Sequence, residues 1–457
     1  MAKFDKKRAT TPYRSRFPRL PEFVMPVAKK STASNTWIAS GVRTPFAKVD
    51  GPLASYDAIE LSVPVVKAML APDGKGGGAR PDFAVWGTVI PNLTWSNLAR
   101  EVLLDAGADP TIPAFSTIMA CSTSMIGAIE AAGMIDGRGR DLALVGGVES
   151  MSRVQLGLSV ALSDWIRKFQ GAKTGQQRLA ALGALNLKDV KLFIPKVVNR
   201  VTGLSMGEHT EITAKEWNLS RADQDAIAFA SHRDAVKGWE SGFFDDLVIP
   251  IGGAKRDSIP RKDSTLEKLA KLGPAFDKTS GKGTLTAGNS SPLTDGAAAI
   301  WVGSEAGMSR LPSETPKVKI VDYEVTSIDL RHEGLLMAPA YGVPRMLARN
   351  GMTYADVGLW EIHEAFAAQV LSHIAAWESA KFLSEKAGVS TPMGQFPRDR
   401  MNPFGGSLAL GHPFGATGAR ILSQAVKELA ARPKGERAIV SICADGGQGT
   451  MMLLESA

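Results

Sequence analysis

The chain has 457 residues and only two cysteines, each beside unusual turn chemistry. Cys121 lies in STIMACSTSMIGAIEAAGMI (Ser116–Ile135), after an apolar run and before Ser122, Thr123 and Ser124. Small residues follow at Gly127, Ala128, Ala131, Ala132 and Gly133. The spacing predicts strand, sharp turn and a helix apolar all round, hence buried. A thiol in the first turn of such a helix faces unpaired N–H groups and the positive end of the dipole. Both favour a nucleophilic thiolate. Cys443, in CADGGQG, is placed at a strand end before a glycine turn. His412 lies in NPFGGSLALGHPFGATGAR (Asn402–Arg420), whose glycines permit backbone approach that a Cβ would block. His363 and Phe366 lie in EIHEAFAAQ. A lone histidine or glycine cluster is ordinarily structural, but here the stretches include both thiols of the chain.

These residues need a scaffold, and the chain supplies an α/β pattern. TWIASGVRTPF reads as strand and turn, Ala58–Leu70 as a helix, FAVWGTVI as a buried strand and Asn97–Ala106 as a helix. The Cys121 unit and the strand DLALVGGVESMS close the block. Alternating strands and helices predict a mostly parallel sheet covered on both faces. A second block starts at Lys317, just before VKIVDYEV, with a helix at Val343–Asn350 and a last strand, AIVSICADGG. GSLALGHPFGATGARILSQAV echoes the strand–turn–helix around Cys121, and AIVSICADGGQGTMM echoes DLALVGGVESMS. A duplicated domain follows, with equivalent loops side by side and Cys121, His412 and Cys443 in one site. The expected division is an arm over 1–35, a first half over 36–152 completed by 277–310, a loop domain over 153–276 and a second half over 311–457. Within the loop domain Ser220–Lys237 reads as a helix capped by Ser220, with Asp223 in an acidic capping box.

Composition narrows the function. Two cysteines cannot form a disulfide framework and point to a reducing compartment. CxxC spacing and a GxxxxGK[ST] loop are absent and the six histidines are scattered, so no metal or Walker-type phosphate site is expected. The net charge of +7 is all carried by residues 1–30, with nine Lys/Arg against Asp5 and Glu22. A neutral remainder argues against a nucleic-acid partner. Four prolines (Pro12, Pro18, Pro21, Pro26) make the arm extended, and speak against an amphipathic transit helix. Residues 157–205 carry Arg167, Lys168, Lys173, Arg178, Lys188, Lys191, Lys196 and Arg200 against Asp164 and Asp189, interleaved with apolar side chains that include Trp165, Phe169, Leu179, Phe193 and Ile194. Such a basic amphipathic segment serves a membrane surface, a partner groove or a lid.

Taken together, from Trp37 to the C-terminus, the glycine–histidine stretch and the Cys-x-x-Gly-Gly stretch resemble a thiolase, an acyl-CoA:acetyl-CoA C-acyltransferase. His-Glu-Ala-Phe at 363–366, where most thiolases have Asn-Glu-Ala-Phe, and the long basic insertion resemble the thiolase subunit of fatty-acid β-oxidation complexes. The resemblance implies a five-layer αβαβα fold of two similar halves with a loop domain, and a homodimer or higher oligomer. It implies that Cys121 takes the acyl group of a 3-ketoacyl-CoA after His412 removes its proton, and that Cys443 handles the proton of the two-carbon fragment. One oxyanion site would use His412 Nε2 and a water held by His363; the other would use the backbone N–H groups of Cys121 and Asp445. Arg261, Ala287, Ser291, Met206 and Phe366 would contact coenzyme A or the acyl chain, with coenzyme A a substrate and no permanently bound cofactor. Asp445 stands where many thiolases have Gly, and its carboxylate would oppose developing negative charge unless paired. The expected setting is bacterial cytoplasm, with the mitochondrial matrix as alternative. Contact with a hydratase/dehydrogenase subunit or a membrane surface is expected through 157–205. A biosynthetic acetoacetyl-CoA thiolase would share the catalytic residues, and a scaffold or membrane-docking subunit is the alternative of another class. A ketoacyl synthase would not need the second cysteine.

Overall fold

The computed structural model describes residues 36–72, 74–135, 139–193, 195 and 197–457. The arm over 1–35 lies outside them, as do Ile194 and Lys196 of the insertion. The first block comprises β1 (Thr36–Ala39), β2 (Ala47–Lys48), α1 (Ala58–Leu70), β3 (Phe83–Gly87), α2 (Leu98–Asp105), β4 (Ala114–Phe115), α3 (Thr123–Ile135) and β5 (Leu142–Glu149). Reciprocal hydrogen bonds of Asp57 and Glu60 start α1, and the Asn97 side chain caps α2. The intervening segment carries β6 (Gly157–Leu158), α4 (Val160–Gly171), α5 (Gly175–Gly183), β7 (Leu192–Phe193), α6 (Met206–Glu216), α7 (Arg221–Glu240) and α8 (Leu266–Ala270). Ser220 Oγ caps α7, accepting from the Asp223 N–H, while the Asp223 carboxylate takes the Ser220 hydroxyl rather than its backbone N–H. Next come β8 (Thr294–Ser304), α9 (Glu305–Met308), β9 (Lys317–Ser327), α10 (Ala338–Arg349), β10 (Leu359–Ile362), α11 (Ala367–Trp377), α12 (Ala380–Phe382), α13 (Ser407–Leu410), α14 (Thr417–Ala430), β11 (Arg437–Ala444) and β12 (Gln448–Glu455).

The strands run in the order β10-β11-β12-β9-β1-β8-β5-β3-β4, with β2 on β8. This sheet is mixed, not mostly parallel as expected. Parallel pairs occur at its two ends, β10 with β11 and β3 with β4 and β5; the pairs between are antiparallel. The turn between β11 and β12 is too short for a parallel crossover, which needs a dozen residues or more. Period-two alternation then builds the layers. Ala143, Val145, Ile300, Val440, Ile442, Met452 and Leu454 turn inward onto a shared layer of α3 and α14. Leu142, Leu144, Ala299 and Trp301 turn outward onto α1 and α2, and Ile439, Met451 and Leu453 onto α10. The result is an αβαβα sandwich whose central helices are α3 and α14.

Two local readings change. Helix α10 begins at Ala338 rather than Val343, because Pro339 is accommodated in its first turn, where the missing N–H costs nothing. The stretch before His412, expected as a strand, is the one-turn α13; its Leu408 N–H goes to the Glu364 carboxylate and not to a neighbouring strand. In the insertion, α4 and α5 form a hairpin closed at its base by β6 and β7, and neither helix has a buried residue. Among the described residues no helix is long and apolar enough to cross a membrane.

Candidate active site

Cys121 lies two residues ahead of α3, at the tip of its approach turn rather than in the first helical turn. The turn requires Ala120 at φ +45°, a left-handed conformation that costs a non-glycine residue ~1–2 kcal/mol. The Thr123 hydroxyl holds it there, accepting from the Met119 N–H at 2.9 Å and donating to the Ala120 carbonyl at 2.7 Å. Ser122 accepts from Thr450 of β12 at 3.0 Å, which ties the turn to the second half of the molecule.

The two halves touch through the starts of α3 and α14. A Cβ on Gly418 would fall 2.4 Å from the Met125 nitrogen, so only glycine lets the helices approach this closely. Ala419 N–H donates to Ser124 Oγ at 2.8 Å across the contact. His412, just before α14, has its backbone N–H on Thr294 Oγ1 at 3.0 Å, and Gly415 N–H reaches the Glu149 carboxylate at 3.0 Å. His363 follows β10, its backbone N–H donating to Ser441 of β11. Its ring lies 4.2 Å, centroid to centroid, from that of His412. Cys121 Sγ and one ring nitrogen of each histidine all lie within 4.8 Å of one another. His412 Nδ1 is 2.7 Å from Thr417 Oγ1 and His363 Nδ1 is 2.8 Å from Ser407 Oγ, while both Nε2 atoms are buried with no hydrogen-bond partner among the described residues.

The electrostatics reverse one expectation. Burial pushes the Cys121 thiol from 9.0 up to about 12, and the Asp445 carboxylate adds to the shift. Hydrogen bonds from the Asp445 and Cys121 backbone N–H groups oppose it. Moving a thiol that far costs its anion about 4 kcal/mol, against ~0.3–1 kcal/mol from a helix terminus. The side chain keeps some exposed surface, but the protein around it is dense enough for burial to decide. The resting group is the thiol. Burial and the Arg420 cation pull His412 down to about 3 and hold His363 well below its ordinary range, so both imidazoles are neutral at physiological pH. Neutral imidazoles beside a thiol can accept and donate protons. The same three side chains have the ligand types of a zinc site, a clustering that their scatter along the chain hid.

Cys443 closes the pocket from β11. Burial and the neighbouring Cys121 raise its thiol well above the ordinary value. Beside it, packed in one cluster, lie two of the expected channel residues, Met206 and Phe366, together with Leu285, Leu335 and Phe276. The Asp445 carboxylate is paired: Oδ1 accepts from Asn199 Nδ2 at 2.8 Å and from the Gly446 N–H at 2.7 Å. Ser291 N–H bonds the Ala365 carbonyl at 3.0 Å, joining its loop to the 363–366 turn, and Ala287 is exposed. Arg261 is exposed with its backbone N–H on His232 Nδ1 at 3.3 Å, and its neighbour Lys262 pairs with Glu240 at 2.7 Å. Sequence reasoning missed the residues behind the site: Thr417, Ser407, Arg420 and Asn199. Ser407 and Thr417 each lie five positions from His412, one on either side, a spacing that carries no signal until a turn folds them back.

A cysteine and two imidazoles where two α/β halves meet, with a second thiol closing the pocket, define a thiolase. The chain belongs to the thiolase family of acyltransferases. It matches the thiolase N-terminal domain over residues 36–306 and the C-terminal domain over 314–456. It is 38% identical to the 3-ketoacyl-CoA thiolase of Shewanella halifaxensis over 424 residues, covering 92% of this chain and 96% of that one. The 3-ketoacyl-CoA thiolase of Yersinia enterocolitica is also 38% identical, with the same coverage. Among solved structures, the Acat5 thiolase from Ascaris suum in complex with coenzyme A superposes with a TM-score of 0.74 at 27% identity, covering 92% of this chain and all of that one. The Bacillus anthracis acetyl-CoA acetyltransferase gives 0.74 at 29% identity, covering 94% of this chain and all of that one.

Proposed function

We propose that this chain is a 3-ketoacyl-CoA thiolase that works through an acyl-enzyme on Cys121. The observation that carries the reading is the thiol within 4.8 Å of ring nitrogens of two buried, neutral imidazoles. His412 Nε2 takes the Cys121 proton as sulfur attacks the 3-keto carbon, so the anion never has to exist free in the buried pocket. The backbone N–H groups of Cys121 and Asp445 receive the alkoxide. Cleavage of the C2–C3 bond leaves the acyl group on sulfur and an acetyl-CoA enolate, whose oxygen is met by His363 and His412. Cys443 protonates the enolate carbon. The entering coenzyme A thiol gives its proton to the Cys443 thiolate and attacks the acyl group, and Cys121 leaves, recovering its proton from His412. Every proton lost is regained over one turnover.

The acyl chain is assigned to the channel of Met206 and Phe366, and the coenzyme A to the surface around Ser291, Ala287 and Arg261. A β-oxidation role is favoured by the 3-ketoacyl-CoA thiolases among the relatives. The biosynthetic alternative shares the chemistry, and substrate length separates the two. Thiolysis compared from acetoacetyl-CoA to 3-ketopalmitoyl-CoA should favour the longer chains; activity confined to acetoacetyl-CoA would overturn the β-oxidation assignment.

The exposed apolar groups of the insertion, among them Val160 at 77%, Leu179 at 71% and Leu187 at 81%, support a docking role toward a hydratase/dehydrogenase subunit or an anionic membrane. Co-sedimentation with anionic vesicles and with the partner enzyme should be lost on deletion of the hairpin. Ile118, 61% exposed beside the edge strand β4, supports a homodimer through that edge, and Ile118→Lys should shift sedimentation toward monomer. A cytoplasmic setting is proposed from the two free thiols.

A further inference from the structure

Two hydroxyls back the two imidazoles, and their protons go to different places. Thr417 Oγ1 donates to the Pro413 carbonyl at 2.9 Å, so at 2.7 Å from His412 Nδ1 it can only accept. His412 therefore carries its proton on Nδ1 and a lone pair on Nε2. Ser407 Oγ instead accepts from Arg420 Nη2 at 2.7 Å. Arginine only donates. Among the hydrogen bonds of the described residues, the Ser407 proton meets one acceptor, His363 Nδ1 at 2.8 Å. His363 is left with its own proton on Nε2, buried and unpartnered.

We propose that Ser407, oriented by Arg420, is a positioning residue that fixes His363 as an Nε2–H donor, the opposite tautomer to His412. The inference rests on the reading of this pocket as the thiolase site. It explains an otherwise costly feature: Arg420 is 2% exposed, yet its Nη2 is spent on a hydroxyl. A cation there also keeps His363 from becoming an imidazolium, which would leave Ser407 facing donors on both sides. The pocket then presents one acceptor, for the Cys121 proton, and one permanent donor, for the enolate oxygen. A singly protonated imidazole free to exchange tautomers would offer that donor only part of the time.

A double-mutant cycle tests this, because the amide of His363→Asn offers an N–H donor whatever stands behind it. Ser407→Ala should lower kcat by ~10-fold or more with KM changed less than ~2-fold, and should cost less than ~2-fold in the H363N background. Equal losses in both backgrounds would mean that Ser407 only packs, and would overturn the proposal. If His363→Ala itself costs nothing, the donor role of His363 fails together with the relay, whereas loss in H363A but not in S407A overturns the relay alone. Should S407A fail to fold, ¹⁵N-histidine NMR of the intact protein decides. His363 must show a protonated Nε2 and a bare Nδ1 and His412 the reverse; like tautomers on both rings would overturn the proposal.

Discussion

The catalytic pocket and the α4–α5 hairpin are built on opposite terms. In the pocket the Cys121 turn, both imidazoles and the Asp445 carboxylate are braced from behind: Thr123 holds the turn, Thr417 and Ser407 hold the two rings, and Asn199 holds Asp445. In the hairpin no residue of either helix is buried, and the contacts that order it, the β6–β7 pair, a Trp165–Phe169 stack and a Trp165 hydrogen bond to the Ala181 carbonyl, lie within the segment itself. Side chains that must handle protons within fractions of an ångström need an over-determined surround. A surface that meets something else does not. The two regions are joined through the turn that follows the hairpin, where Asn199 meets Asp445.

The sharpest way to break this contrast is to remove the reacting groups. Cys121→Ala should lower steady-state thiolysis by roughly 10⁴-fold or more and His412→Ala by ~10³-fold, with the melting temperature little changed. Residual turnover near wild type in either variant would end the assignment. Gly418→Ala tests whether the pocket depends on contact between the halves. Forcing α14 off the Met125 backbone should move His412 from Cys121 and cost ~10–100-fold in kcat along with a lower melting temperature. Asp445→Asn keeps the acceptor for Asn199 but removes a negative charge that raises the Cys121 pKa. The pKa must then fall from about 12, so alkylation by iodoacetamide at fixed neutral pH should quicken by ~3–10-fold. A slower reaction would mean that the carboxylate does not bear on the thiol. The smallest effect is expected from the other region: replacing 160–190 with a short Gly-Ser link should change kcat on acetoacetyl-CoA by less than ~2-fold, by the additivity of distant sites. A large loss would make the hairpin part of the site.

Much of the layering was legible in the chain. The helix Ala58–Leu70 and the strand starting at Lys317 emerge at their expected bounds, because Asp57 caps one and β-period burial marks the other. The pairing of the Cys121 and His412 turns was legible through the turn-and-helix pattern that their stretches share. Strand direction was not, since alternation of elements does not reveal that β11 returns as β12 through a tight turn. Nor was the protonation state of Cys121: the dipole that favours a thiolate can be read from spacing, whereas the burial that outweighs it belongs to the assembled pocket. Asn199, Ser407, Thr417 and Arg420 were silent for the same reason, being ordinary polar residues until the fold sets them behind reacting atoms. The apolar groups Val160, Leu179, Leu187 and Phe193, by contrast, could be read directly, because they stay exposed in the described fold.

The central claim, that Cys121 carries the acyl group while Cys443 only shuttles protons, is open to one direct measurement. The protein is mixed with a 3-ketoacyl-CoA in the absence of free coenzyme A, quenched in acid, digested and analysed by mass spectrometry. The account predicts one shortened acyl group per chain, on the peptide containing Cys121, and none on the Cys443 peptide. An acyl group on Cys443, or no adduct while acetyl-CoA is still released, would contradict it.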